Sequence, residues 1–191
     1  MAIRLALKAL AAAVVGIVAG LLLTWASVSA FSFGTVQDGP WRTSLAVGSA
    51  QSSPYLRAYV AVHGLFALKR SEAIYYTAAR DSDGDRLSGA CIYSIVGRDP
   101  DARWWSITAY GPDDFLIPNP ARRYSVSTDS IMRRGDNGFV IAVSRAQGGV
   151  NWIAVGRGPF SLTLRLYLPG AAVAADPAKA ALPAIRRESC R

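Results

Sequence analysis

Three patterns of apolar and polar positions follow one another along this chain. From Ala9 to Leu23 every residue is apolar or glycine, and the uncharged stretch continues through Thr24, Trp25 and Ser32 to Val36. About 20 helical residues span a hydrocarbon core of roughly 30 Å, so this segment predicts a transmembrane helix. The competing assignment is a cleaved signal peptide, with Val28-Ser29-Ala30 as the small-residue cleavage site. The uncharged length exceeds the usual ~7–15-residue signal core, which favours a retained anchor. Both assignments export the rest of the chain. Arg4 and Lys8 precede the span and Asp38 and Arg42 are the first charges after it, so the N-terminus is expected to stay cytoplasmic. Residues 1–35 are therefore read as anchor or signal segment, 36–52 as a linker and 53–191 as the folded domain.

The second pattern has a helical period. Ser53-Pro54 supplies an N-cap and a proline at the first helical position, and Leu56, Tyr59, Val60, His63, Phe66 and Ala67 recur at three-and-four spacing. This amphipathic helix is expected to end near Lys69-Arg70, where basic side chains suit its dipole. His63, on or beside the apolar stripe, reads as a structural histidine between helix and sheet.

After Glu72 the period shortens to two. Ile74 to Arg80 and Ala90 to Val96 are aromatic and β-branched runs around a Gly/Asp-rich turn, and they predict a hairpin. Further strands are expected at Trp104 to Tyr110, Arg123 to Ser127, Phe139 to Ser144 and Phe160 to Leu168, each bounded by Gly, Pro, Asn or Asp. In the last, Phe160, Leu162, Leu164, Leu166 and Leu168 alternate with Ser161, Thr163, Arg165 and Tyr167, which buries one face and leaves the other polar. Such a series packs naturally as an antiparallel sandwich.

Composition narrows the chemistry. The 21 basic and 13 acidic residues give a net charge of +8, but the basic residues are scattered as singles and pairs, without a zinc-finger spacing or a basic helix, so no nucleic-acid partner is expected. With Arg4 and Lys8 set aside, 19 basic residues face 13 acidic ones, leaving +6 on the exported portion. His63 is the sole histidine and Glu72 and Glu188 the sole glutamates, which excludes the usual multi-histidine and four-cysteine metal centres. Asp81-Ser82-Asp83-Gly84-Asp85 resembles the start of a calcium loop, but Arg86 and Ile92 stand where an EF-hand needs glycine and a bidentate acid. A solvated turn is the favoured reading, and no metal or cofactor is expected. Cys91 and Cys190 are the only cysteines; in an oxidising compartment they leave one intramolecular pairing, the alternative being two separate thiols.

Five segments in order carry a family resemblance: Tyr76 through Gly89, Trp105 through Tyr110, Phe115 through Tyr124, Asn151-Trp152, and Gly158 through Pro169. Together they resemble the family known as domain of unknown function 1214, and its small membrane-anchored bacterial branch in particular. The resemblance implies a jelly-roll-like β-sandwich. It places the domain in the periplasm on a single-pass inner-membrane anchor, or free in the periplasm after cleavage. Longer relatives carry a second module, domain of unknown function 1254, so a separately encoded partner of that type is expected.

The family label implies no reaction. Polar residues at or near the matched positions are Glu72, Tyr76, Asp81, Asn119, Arg123, Tyr124, Asn151 and Arg165. Their structural reading is that Glu72 or Asp81 pairs with Arg123 or Arg165 while the asparagines fix turns. Their functional reading gathers Trp104, Tyr110, Asn119, Arg123, Tyr124 and Trp152 at one end of the sandwich, as an aromatic pocket with one guanidinium for an anionic or carbohydrate ligand. Two functions follow from these alternatives: a noncatalytic envelope domain that binds a ligand or partner, or a hydrolase in which Glu72 or an aspartate activates water and Arg123 stabilises an anion. A Ser-His-Asp site ranks lower, because His63 is the only candidate base and no Gly-x-Ser-x-Gly elbow occurs.

Overall fold

The computed structural model describes residues 2–30, 35–44, 52–62, 68–146 and 148–190. The first apolar pattern forms one helix, α1 (Ala2–Ala30), and its segment Ile3–Ser27 is long and apolar enough to cross a membrane. Large side chains such as Leu10, Val15, Ile17 and Leu22 stand mostly exposed around it. That distribution suits a lipid-facing or signal helix and not the core helix of a globular domain.

Helix α2 (Pro54–Val62) starts as its sequence requires. The Ser53 hydroxyl accepts the Leu56 N–H at 3.3 Å, and the Ser53 carbonyl accepts the Arg57 N–H at 3.1 Å. Leu56 is buried as expected. His63, Phe66 and Ala67 lie outside the described residues, and by Lys69 the chain has entered a turn, whose carbonyl accepts from both Glu72 and Ala73.

The rest forms two sheets. The larger runs in the order β1 (Thr35–Asp38), β2 (Trp41–Ser44), β3 (Ala73–Ala78), β9 (Ser161–Pro169), β5 (Ala102–Tyr110) and β6 (Ser125–Ser127). The smaller runs β10 (Ala184–Cys190), β4 (Cys91–Arg98), β7 (Gly138–Ser144) and β8 (Trp152–Ala154). A short helix, α3 (Ala171–Ala175), and a 3-10 turn (Pro177–Lys179) lead from β9 to β10. The inward residues of both sheets share one core: Trp105 on β5 stacks on Phe139 of β7 at 5.0 Å, and Tyr93 of β4 meets Phe160 beside β9 edge-on at 5.8 Å.

The mainly β architecture agrees with the strand pattern, but several local expectations do not hold. The hairpin expected between Ile74–Arg80 and Ala90–Val96 does not form. Strand β3 pairs with β2 and β9, whereas β4 pairs with β7 and β10, so residues 79–90 cross from one sheet to the other. Both strands have a buried face, and placing them in opposite sheets lets Tyr76 and Tyr93 bury into the same core. The strand expected from Arg123 starts only at Ser125: the Tyr124 carbonyl still accepts from Ala109 of β5, whereas the Arg123 carbonyl turns to Ala154 of β8. Strand β8 lies parallel to β7, which makes the smaller sheet mixed.

The described part of the stretch read as a linker is strand. β1 and β2 turn through Gly39, at a positive φ of 54° that glycine takes without strain. Trp41 is fully buried and donates its indole N–H to the Pro183 carbonyl at 2.7 Å. At the end of β9 the alternation also breaks: Leu168 is 49% exposed at a φ of 48°, with its N–H turned to the Glu72 carbonyl.

Strand β10 pairs with β4 and has further attachments besides. A disulfide joins Cys190 to its register partner Cys91. Ser82 exchanges hydrogen bonds with Ile185, its N–H donating to the carbonyl at 2.8 Å and its hydroxyl accepting the N–H at 2.9 Å. The Arg187 guanidinium bonds Asp85 and lies 3.7 Å from the buried Asp81 carboxylate.

Candidate ligand face on the larger sheet

Strand alternation sends Trp105, Ile107 and Ala109 of β5, and Leu162, Leu164 and Leu166 of β9, into the core. The intervening residues therefore share the outer face. Register fixes their rows: Trp104 opposes Tyr167, Ser106 opposes Arg165, Thr108 opposes Thr163, and Tyr110 opposes Ser161. Across the next pairing, Tyr75 opposes Arg165 and Thr77 opposes Thr163. Ser106, Thr108 and Thr163 are buried at the base of this face, beneath larger side chains.

Arg165 stands on the second of the two central strands. Its Nη1 donates to the Thr108 hydroxyl at 3.1 Å and its Nη2 to the Tyr110 hydroxyl. The guanidinium carbon sits 5.3 Å from the Tyr110 ring centroid and 6.0 Å from that of Tyr75. No carboxylate among the described residues forms an ion pair with it. A guanidinium has five N–H donors, and the two bonds described leave it capacity to grip an anion. The Tyr75 phenol is pushed up to about 12, mainly by burial and then by neighbouring Tyr167, against the opposing pull of Arg165. At the far end Trp104 and Tyr167 meet edge-on at 5.5 Å, and the Trp104 N–H donates to Asp129 at 2.6 Å.

The six residues expected to make one end-of-sandwich pocket divide between two places. Trp104 and Tyr110 lie on this outer face. Asn119, Arg123, Tyr124 and Trp152 lie by the joint between the two sheets, where the Tyr124 carbonyl meets β5 and that of Arg123 meets β8. There the polar groups satisfy the backbone. Asn119 accepts the Arg123 N–H at 2.9 Å and donates to the Ile117 carbonyl, Arg123 donates to the Val150 carbonyl at 3.2 Å, and the buried Trp152 donates to Ser144. Asn151 likewise accepts the Met132 N–H and donates to the Met132 carbonyl, as a turn-fixing asparagine would.

Glu72 and Arg123 are far apart. Glu72 bonds Leu168 at the Ala102 end of β5, whereas the residue after Arg123 bonds Ala109 near the other end. Six strand residues separate the two positions, roughly 20 Å, so Glu72 cannot serve as the base for an anion held on Arg123. Among the described residues no three His, Cys, Asp or Glu side chains are grouped to hold a metal. A shallow depression of about 250 Å³ lies elsewhere, over the β4–β7 end, beside an exposed Arg98–Asp136 pair at 3.4 Å. The Asp136 carboxyl is held below its usual range, first by the Gly138 N–H.

Arg165 carried a sequence signal that did not single it out: it is the one charged residue in the strand Ser161–Pro169. What the sequence lacks is that this strand is central, and that its neighbours on both sides present tyrosines.

The DUF1214 profile, described as "Protein of unknown function", matches residues 72–171. The chain is similar to the crystal structure of the VPA0106 protein from Vibrio parahaemolyticus, with 24% identity, a TM-score of 0.62 and coverage of 73% of this chain and 36% of that one. It is also similar to a putative uncharacterized protein from Burkholderia cenocepacia, with 17% identity, a TM-score of 0.45 and coverage of 63% and 30%. The chain thus spans about a third of the length of these solved proteins. No curated protein matches it.

Proposed function

The chain belongs to the DUF1214 family, and from that premise we propose that it is a noncatalytic envelope domain, held in the periplasm by α1, that binds an anionic ligand through Arg165. The observation that supports this is a half-buried guanidinium oriented by Thr108 and Tyr110 without a carboxylate partner among the described residues. Burying a charge partway is costly unless it is paired, and an external anion would supply the missing partner. The net +6 of the exported portion draws such a ligand in.

The test uses the full chain in detergent, titrated with glucuronate and with inorganic phosphate and followed by calorimetry. Arg165→Gln should abolish the heat of binding, while Arg123→Gln, whose side chain serves the Val150 carbonyl, should keep it. Equal binding by wild type and Arg165→Gln removes the proposal. An active C-terminal alkaline phosphatase fusion would support the periplasmic orientation, and an inactive one would oppose it.

A second reading concerns a partner. As the family resemblance implies, a separately encoded protein of the domain of unknown function 1254 type is proposed to associate with it in the envelope. Crosslinked membranes purified through a C-terminal tag should contain that protein in stoichiometric amount.

A further inference from the structure

Building on that anion-binding reading, we infer that the ligand is an extended acidic oligosaccharide lying along the outer face of the larger sheet, with a carboxylate on Arg165 and sugar faces on the flanking rings. Three features of the face lead there.

The first is shape. Trp104 meets Tyr167 at 5.5 Å, and Arg165 lies 6.0 Å from the Tyr75 ring and 5.3 Å from that of Tyr110. Tyr167 shares the outer face of β9 with Arg165, two residues away, and so lies diagonal to Tyr75 across the β3–β9 pairing. Rings and cation therefore form one continuous strip from Trp104 to Tyr110. Those residues stand at opposite ends of β5, six residues and roughly 20 Å apart. A strip of that length fits several linked units and is far longer than one small molecule needs.

The second is chemistry. Aromatic rings offer flat apolar faces with a polar edge, which complement a sugar ring's C–H face and its hydroxyls. The guanidinium fork complements a carboxylate bidentately. Thr77, at the margin of this face, is exposed and adds a hydroxyl for the same kind of ligand.

The third is the absence of free backbone on this face. Strand β9, which carries Arg165, is paired along its length with β3 on one side and β5 on the other, and β2 and β6 flank those two strands in turn, so the backbone around Arg165 is engaged within the sheet. A peptide that binds by adding a strand needs an unpaired edge. Recognition here is confined to side chains, which favours a saccharide over a peptide. The positive balance of the exported portion selects an acidic one.

The experiment titrates the full chain in detergent with galacturonate, trigalacturonate, hexagalacturonate and fully methyl-esterified hexagalacturonate. Hexagalacturonate should bind about tenfold or more tightly than the monomer, and esterification should cost about tenfold or more through the lost charge-assisted bonds. Arg165→Gln should match the loss on esterification. Trp104→Ala should weaken the hexamer while leaving the monomer unchanged, and its far-UV spectrum and melting temperature guard against misfolding. If every uronate binds alike in an Arg165-dependent manner, the anion site stands and the extended saccharide is refuted. Equal affinity for the ester and the acid also refutes it. Binding of neither galacturonate nor hexagalacturonate overturns the inference together with the reading beneath it.

Discussion

Removing the Cys91–Cys190 disulfide should weaken the fold by a calculable amount and leave the geometry of β10 largely intact. The bond closes a loop with a sequence separation of 99. Loop-closure entropy for about 100 residues corresponds to about 4.7 kcal/mol at 25 °C, and measured losses in secreted domains run about 2–5 kcal/mol. The native strand keeps other attachments. Ile185 is fully buried, Ser82 bonds both its N–H and its carbonyl, and Arg187 reaches Asp81 and Asp85. The effect should therefore fall chiefly on the unfolded chain, with fraying limited to the last few residues of β10. For Cys190→Ser we expect a loss of about 3 kcal/mol, a fall of about 1.5 M in urea midpoint at an m-value of about 2 kcal/mol/M. The assay is tryptophan fluorescence of the full chain in mild detergent, in parallel with wild type under reductant, which should coincide with the variant. Amide exchange should quicken near Glu188 and Ser189 and stay slow at Ile185. A midpoint unchanged by the substitution, or one that reductant lowers further in the variant, would refute the reasoning.

Other substitutions test other joints. Trp41→Ala should cost about 3–5 kcal/mol in urea unfolding, since a fully buried indole is removed from the shared core; a loss below about 1 kcal/mol would mean that β2 is an accessory and not part of the domain. Asp81→Asn keeps an acceptor for the Asp83 and Asp85 N–H groups but turns an amide toward Arg187. It should cost about 1–3 kcal/mol, and Asp83→Asn, measured alongside, should be near neutral. In alkaline titration followed at 295 nm, Tyr75 and Tyr76 should ionise after the exposed phenols, because burial raises both. The sign follows: with a folded Tyr75 value near 12 against about 10 unfolded, the stabilisation is complete below pH ~10 and is lost as pH rises toward 12. Tyr75→Phe should remove one late step, and an unchanged curve would contradict the burial of that phenol.

What was legible in the sequence was whatever depends on near neighbours. The apolar run of α1, the Ser53 cap of α2 and the period-two burial of β9 each follow from residues within a turn or two of one another. The hairpin failed because pairing is a long-range choice. The runs around Gly84 have the right local chemistry, yet β3 gains more by pairing along β9, with registers from Ala73–Tyr167 to Ala78–Leu162. β2 was missed because four residues, Trp41 to Ser44, are too few to show a period, although Trp41 reaches the core from them. Arg165 was legible as a polar residue of β9 and was expected to pair with Glu72 or Asp81, but its actual surroundings were not legible. Its environment is made by Tyr75, Thr108 and Tyr110 on two other strands, and only the sheet order brings them together.

The acidic loop shows most clearly how a distant residue decides between two local readings. Asp81, Asp83 and Asp85 alternate as cation ligands do, although local sequence favours a solvated turn over a metal site. In the fold, Asp81 turns inward and spends one oxygen on the Asp83 and Asp85 N–H groups at 3.1 and 2.9 Å, while Gly84 takes the positive φ that the turn demands. Its other oxygen accepts no hydrogen bond and faces only the Arg187 guanidinium at 3.7 Å, and the same guanidinium bonds Asp85. The positive charge that balances this loop is thus the chain's own, arriving 102 residues after Asp85 on the strand that the disulfide fastens. A cation in the loop would have to displace Arg187 and strip β10 of one of its fastenings, so the Asp81 and Asp85 carboxylates serve closure of the sandwich.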